Sequence, residues 1–289
     1  MKIAYITTMN ASNENTRIRQ EVVNLGHIYA QYNLGNLSLR IKDGKLFGGI
    51  THIDDDLLII RGIMSSLKTI SAMAKYLRNN GIKIFDNNFL EHEYSISKIT
   101  DMVKLTMNGI KVPDTYHLRD FADYKKTAEE LGYPVIVKSN RMGKGCGVYK
   151  ADDKNELETL INKFQSCDRE AKNYVIQEYI PYVFDIRALI IGKNVIAMRR
   201  IPKKGEFRAN FSLGGSVEKY NLDPEGKKLA IDALNAIGMS VGGVDILITK
   251  DNKRYILEVN HNAGFTGMEK ATGLNIAKMY VKHAIANAK

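Results

Sequence analysis

Two cysteines in 289 residues, Cys146 and Cys167, leave no basis for a disulfide framework. Neither belongs to a CxxC pair or a Cys/His cluster, which argues against structural zinc. No apolar run approaches the roughly 18 residues that span a bilayer. The opening MKIAYITTMN reads as a strand and carries no small-residue cleavage site, so the expected location is cytoplasmic. Internal repeats and low-complexity tracts are also missing. The chain carries 42 basic and 32 acidic residues, a net +10, which favours anionic partners. The basic residues are scattered, however, with no arginine-rich arm and no aromatic RNA-binding signature, so nucleic acid is disfavoured as a partner.

What is present is alternation. KIAYI (2–6) and residues 56–60 read as short apolar strands. Leu67, Ile70, Met73, Ala74 and Leu77 follow helical spacing, Gly81 ends that helix, and IKIF (82–85) reads as the next strand. Strands alternating with helices predict a small parallel α/β unit. NASNENTRIR (10–19) predicts a loop feeding a helix capped by Asn15 or Thr16. A helix over about 95–108 leads to VPDTY (112–116), the strand Pro134–Lys138, a helix over about 154–164 and the strand 174–177. The last third predicts antiparallel strands at 186–191, 195–200, 241–248 and 255–259, with hairpin turns at 192–194 and 251–253. Helices are expected near 224–237, opened by Asp223 and Pro224, and near 272–286. The division between units falls near residue 95.

Four stretches carry chemistry. In GVDIL (243–247) and LEVN (257–260), carboxylates sit inside apolar strand runs, where an uncompensated charge is costly. The turn at 251–253 folds these strands together and brings Asp245, Glu258 and Asn260 to one end; Glu258 and Asn260, two apart, share a face. Such an oxygen set suits Mg²⁺. The stretch from Lys138 to Val148 places glycines at 143, 145 and 147 among lysines. It can cover phosphates with backbone N–H groups or be a plain flexible turn. It is neither a Walker loop nor a dinucleotide fingerprint, because no helix opens after it. Gln177–Pro181 is a strand edge able to meet adenine and, through Glu178, a ribose. Arg199, Arg200 and Arg208 can recognise phosphate or carboxylate. Arg17, Arg19 and Arg61 are further carboxylate binders or simply solvated side chains.

Taken in order, DIR (185–187), GEFRANFSLGG (205–215), GVDIL (243–247), EVN (258–260) and GMEKATGLNIA (267–277) resemble the ATP-grasp superfamily, and within it the RimK-type α-L-glutamate ligases. The resemblance implies an α/β and α+β chain: an N-terminal pre-ATP-grasp α/β domain (1–94) and an ATP-grasp domain (95–289). Two subdomains of the latter clamp ATP, 95–178 with the Gly-rich lid and 179–289 with the metal site. By position, Lys98 and Lys138 match the phosphate-holding lysines, and Gly143, Gly145 and Gly147 the lid. Glu178, Tyr179 and Asp185 match nucleotide contacts, Arg208 and Asn210 the phosphate-facing pair, and Asp245, Glu258 and Asn260 the ligands of Mg²⁺ or Mn²⁺, two ions in number. Catalysis is expected to rest on Arg208 and Lys138. The implied reaction is amide formation through an acyl-phosphate, adding an amino acid such as glutamate to a peptide, protein or small-molecule acceptor. Amino-group-carrier or cofactor-tailoring ligases of the same fold, and a non-catalytic ATP-binding scaffold, are the alternatives. The family suggests a dimer or tetramer. One departure stands out: the family follows its metal-binding Asn with a small residue and Ser-Pro-Gly, whereas this chain reads His261-Asn262-Ala263-Gly264. That loop borders the substrate side in the family, where His261 is either a substrate contact or an exposed loop histidine, the sequence favouring the latter.

Overall fold

The computed structural model describes residues 1–8, 12–38, 40–63, 67–85, 97–140, 147–201 and 216–288. Its first sheet is parallel, in the order β2-β1-β5-β6: β1 (Lys2–Thr7), β2 (Ile28–Asn33), β5 (Leu57–Ile60) and β6 (Lys83–Phe85). β1 and β5 are apolar on both faces because both faces are covered. Helix α1 (Asn13–Asn24) is capped by Ser12, whose hydroxyl accepts from the Asn15 N–H. The expected cap at Asn15 or Thr16 is thus corrected. Asn15 lies inside the helix, buried, with its Oδ1 accepting from the Tyr5 hydroxyl at 2.9 Å. Helix α2 (Leu67–Asn79) follows β5, and a small hairpin, β3 (Arg40–Lys42) with β4 (Lys45–Phe47), precedes it.

Helix α3 (Lys98–Met107) leads to an antiparallel sheet, β7-β10-β8-β9: β7 (Thr115–Tyr116), β8 (Val135–Ser139), β9 (Val148–Ala151) and β10 (Tyr174–Glu178). Helices α4 (Ala122–Leu131) and α5 (Lys154–Gln165) pack on it around Phe121, Tyr124, Phe164 and Tyr174. The third sheet, β13-β12-β11-β14-β15, is antiparallel: β11 (Phe184–Ile191), β12 (Asn194–Ile201), β13 (Ser216–Tyr220), β14 (Val241–Ile248) and β15 (Arg254–Asn260). Helix α6 (Pro224–Ile237) has the expected Asp223 cap and ends at Gly238, whose φ of 87° only glycine adopts without cost. The helix expected over 272–286 is α8 (Ile276–Asn287), and a short helix not expected from the sequence, α7 (Thr266–Thr272), precedes it. Gly273, at φ 71°, ends α7, and Asn275 caps α8.

Register divides the five-stranded sheet into two faces, because paired residues point the same way. Ile186, Ala188, Ile190, Val244, Ile246 and Ile256 pack under α6, together with Met102 and Leu105 of α3. The opposite face carries Asp185, Arg187, Leu189 and Ile191 on β11, and Val241, Gly243 and Asp245 on β14. Its apolar half, Leu189, Ile191, Ile196, Met198 and Val241, joins Ile3, Tyr5, Ile18 and Ile59 of the N-terminal unit and Tyr280 and Val281 of α8 in one core. Each such aliphatic side chain contributes about 1.5–3 kcal/mol when fully buried. Its charged half stays uncovered by that core. No helix among the described residues is long and apolar enough to cross a membrane.

Candidate active site

β14 and β15 form the expected hairpin, with Asn252 at φ 60° in its turn and Asp245 paired directly with Glu258. A bulge between Asp245 and Ile246 lets Ile246 pair with Ile256, so Leu257 is the extra residue. Asp245, Glu258 and Asn260 therefore share one face, and the sequence expectation for this trio holds in geometry.

Asp245 is tightly held. Arg187 grips it with two bonds, Nε to Oδ1 at 2.8 Å and Nη2 to Oδ2 at 2.7 Å, and Arg200 Nη2 lies 3.0 Å from the same Oδ2. Arg200 also donates to both oxygens of Asp185, at 2.6 Å each from Nη2. Arg200, Asp185 and Asp245 are almost wholly buried, at 3%, 5% and 5% exposure, so this is an interior charge network. Burial works to raise the Asp245 carboxyl, but the two guanidiniums overcome it and hold the group well below its ordinary range. Asp185 moves the other way: burial and the neighbouring negative Asp245 outweigh Arg200 and raise it. Sequence reasoning gave Arg187 no role, although a charge two residues from Asp185 on a strand must share its face. Arg199, on the opposite face of β12 from Arg200, pairs with Glu218 instead.

The middle sheet supplies the cations. Lys138 at the end of β8 donates to Gln177 Oε1 at 2.5 Å, and Gln177 Nε2 donates to Thr115 Oγ1 at 2.7 Å, fixing the ammonium. Burial and the like charge of Lys98 push Lys138 down to about 8, against the opposing pull of Glu258, Asp245 and Asp185. Those five groups come from five elements, α3, β8, β11, β14 and β15, so the structure gathers the expected lysines and carboxylates within electrostatic reach of one another. Lys98 opens α3, whose first turn is tied to β8: the backbone N–H of Ile99 donates to Asn140 Oδ1 at 3.1 Å. Gly147, at φ 72°, begins the return strand and its carbonyl accepts from Ser139 N–H at 2.7 Å. Gly143, Gly145, Arg208 and Asn210 lie outside the described residues.

Glu178 ends β10 and Tyr179 follows it. The Glu178 carboxylate accepts from the Asp114 N–H at 2.9 Å, and the ammonium of Lys150 lies over the Tyr179 ring at 4.9 Å. His261 is corrected from an exposed loop residue to a buried one. Its side chain is 6% exposed, and Nε2–H donates to Asp101 Oδ2 of α3 at 3.0 Å. Only tertiary packing could reveal this, because Asp101 lies 160 residues away. Arg17 finds its carboxylate within the chain, Glu269 of α7 at 2.8 Å. Arg61 donates to the Ala263 carbonyl at 2.7 Å, and Arg19 is exposed.

Whether the trio suits a divalent cation can be judged from its atoms. Among the described residues, no three Asp, Glu, His or Cys side chains gather as ligands of one ion, so a cation here depends on the asparagine. The side-chain nitrogen of Asn260 is buried without a hydrogen-bond partner. An amide end with no protein partner, beside two carboxylates, fits a cation ligand once its oxygen is turned to that position. Arg187 and Arg200 leave Asp245 ionised with a lone pair to spare, and Glu258 is half-buried and has no described partner other than electrostatic ones. Two carboxylates and an amide oxygen are a hard donor set of the kind Mg²⁺ takes.

Comparison with known proteins identifies the family and the fold. The model of the RimK-like ATP-grasp domain matches residues 96–284. A protein of Legionella pneumophila named probable alpha-L-glutamate ligase is 30% identical over 301 residues, covering 100% of this chain and 97% of its own length. A probable alpha-L-glutamate ligase 2 of Pseudoalteromonas atlantica is 36% identical over 203 residues, 68% of this chain and 65% of that protein. Across the first five curated relatives the chain spans 45% to 65% of their length. Among solved structures, the ATP-grasp ligase PsnB bound to a minimal precursor superposes with a TM-score of 0.75 at 18% identity, covering 98% of each chain.

Proposed function

The chain belongs to the RimK-like ATP-grasp family, and from that premise we propose that it is an ADP-forming carboxylate–amine ligase that adds an amino acid such as glutamate to an acceptor. The observation that carries this reading is the meeting of Asp245, Glu258 and Asn260 on one sheet with Lys138 and Lys98 from the opposing elements. Carboxylates for a cation on one wall and cations for phosphate on the other are what a metal-bound triphosphate needs.

In this mechanism a substrate carboxylate oxygen attacks the γ-phosphorus of ATP, the bond to the β-bridging oxygen breaks, and ADP leaves. The amine then attacks the acyl carbon, phosphate departs with its bonding pair, and the amine loses a proton. Mg²⁺, two ions in our reading, would be held by Asp245, Glu258 and Asn260 and neutralise phosphate charge. Lys138, fixed by Gln177, and Lys98 hold phosphate oxygens; Arg208 and Asn210 would complete that set. Glu178 and Tyr179 line the nucleoside side; Asp185, expected as a direct nucleotide contact, has both oxygens taken by Arg200 and serves to position it. Arg187 and Arg200 keep Asp245 ionised and stop it from rotating. No side chain forms a covalent bond, so catalysis is electrostatic and positional. Consumption of ATP and free amino acids suits the cytoplasm.

The test is product formation from ATP, Mg²⁺ and mixed pools of amino acids and peptides, read by mass spectrometry, with Glu258→Gln as control. An amide product with ADP is expected, lowered about 100-fold or more in the variant. A folded Glu258→Gln protein with wild-type turnover would overturn the assignment.

A further inference from the structure

Helix α3 carries Lys98 at its first position and Asp101 three residues on, on the same side. The start of this helix is anchored twice. On one side the backbone N–H groups of Lys98 and Ile99 donate to Asn140, at 3.3 Å to its carbonyl and 3.1 Å to its Oδ1, which ties the turn to the strand of Lys138. On the other, Asp101 Oδ2 accepts from His261 Nε2 at 3.0 Å. Both side chains of this bond are buried, so water does not compete for it. His261 follows Asn260 directly, at the end of β15. Side chains alternate along a strand, so His261 leaves on the side of Val259, where Met102 and Leu105 of α3 pack, while Asn260 leaves on the side of Glu258. The amide nitrogen of Asn260 is buried without a hydrogen-bond partner, so the aim of this side chain is set by the main chain that carries it.

That main chain is fixed on its near side by pairing with β14, Val259 with Val244 and Asn260 with Gly243. There the strand ends, and the next residue is held by the bond from His261 to Asp101. We propose that Asp101 and His261 are positioning residues of the ligase: their bond holds Asn260 in register with Lys98, so that the cation ligand and the phosphate lysine serve the same bound triphosphate. The inference rests on the ligase reading above and adds to it two side chains that act through Lys98 and Asn260. Apolar packing by Met102 and Leu105 keeps the helix against the sheet but has no direction, whereas a carboxylate–imidazole bond fixes the helix along it. The bond is particular to this chain, because the family resemblance expects a small residue at position 261, which has no reach to α3. Breaking it acts on one side only. Helix α3 keeps its ties to Asn140, so Lys98 stays with the strand of Lys138; the part released is the loop after β15, and Asn260 with it. Direct phosphate contacts therefore persist while the metal-dependent share of nucleotide binding weakens.

Calorimetric titration with a non-hydrolysable ATP analogue, with and without Mg²⁺, gives the factor by which the metal tightens nucleotide binding. His261→Leu fills a similar volume without a donor, and His261→Gln keeps an N–H group for Asp101. His261→Leu should lower that factor about tenfold or more, the worth of one hydrogen bond to a charged group, with metal-free affinity within about twofold of wild type. His261→Gln should keep the factor within about threefold of wild type, since it restores the bond. The factor is a ratio within each protein, so a smaller folded fraction does not mimic its loss. Should His261→Leu fail to fold, Asp101→Asn decides: it keeps the shape and an acceptor without the charge, and should lower the factor about threefold or more. An unchanged factor in the deciding variant, equal losses with and without metal, or a loss in His261→Gln as large as in His261→Leu would each overturn the proposal and leave the pair a matter of packing. Wild-type binding indifferent to Mg²⁺ would overturn the cation assignment beneath it, whereas the ligase reading is decided separately, by product formation in the wild type.

Discussion

Replacing Arg200 by methionine removes one charge from the interior network and leaves its partners in place. Asp245 keeps the two bonds from Arg187, whereas Asp185 loses every donor that holds both its oxygens. With Arg200 and Asp185 at 3% and 5% exposure, solvent cannot take over. Taking one partner from a buried pair costs about 3–5 kcal/mol, and that is the loss expected at pH 8. The pH dependence has a definite sign. Asp185 already titrates above its ordinary range, so the folded protein binds a proton there that the unfolded chain does not. Stability therefore falls as pH rises through that window, and in Arg200→Met the window widens upward. The penalty should shrink between pH 8 and pH 5 as the stranded carboxyl becomes neutral. Urea unfolding followed by circular dichroism, without nucleotide or metal, measures both quantities. A loss under about 1 kcal/mol, or one that does not change with pH, would refute the argument that Asp185 depends on Arg200. The double variant Arg200→Met with Asp185→Leu should recover most of the stability, since an apolar pair of similar volume replaces a buried ion pair at little cost.

Two further outcomes follow from the site. Because Lys138 is pushed down to about 8, its ammonium is lost as pH rises through that value, and nucleotide affinity in the wild type should weaken between pH 7 and 9. Lys138→Arg should bind with a flat profile in the same calorimetric titration; identical profiles would refute a titrating Lys138. A Cβ at Gly243 would lie 2.7 Å from the Ala263 Cβ, so Gly243→Ala should lose about 1–3 kcal/mol in thermal unfolding and weaken Mg·ATP binding by shifting the loop after Asn260. Unchanged binding would detach that loop from the cation ligands.

The elements legible in the sequence were those whose local signals agreed with their packing. Helix α6 has its cap, proline and terminal glycine where the residues put them, and the β14–β15 hairpin follows from its turn. Strands β2 and β13 were missed because each is an edge strand without clean alternation, Ile28–Asn33 mixing two tyrosines with polar residues and Ser216–Tyr220 being mostly exposed. Helix α7 was missed because its seven residues bury a single side chain, Met268, and so carry no apolar spacing to mark them. In the site, the meeting of Asp245, Glu258 and Asn260 could be read from strand period and turn, and Lys138 from the family resemblance. The roles of Arg187, Arg200, Asp101 and His261 could not, since each depends on a partner brought by tertiary contact.

The core beneath the apolar half of the five-stranded sheet has a practical consequence. One wall of it comes from β1, α1 and β5, while the matched family unit begins only at residue 96. Cutting the chain there would leave Leu189, Ile191 and Val241 facing water and would strip Glu14 from the 265–266 backbone. Such a fragment should aggregate rather than bind nucleotide. Swapping first domains between relatives would likewise demand matched seams on both parts.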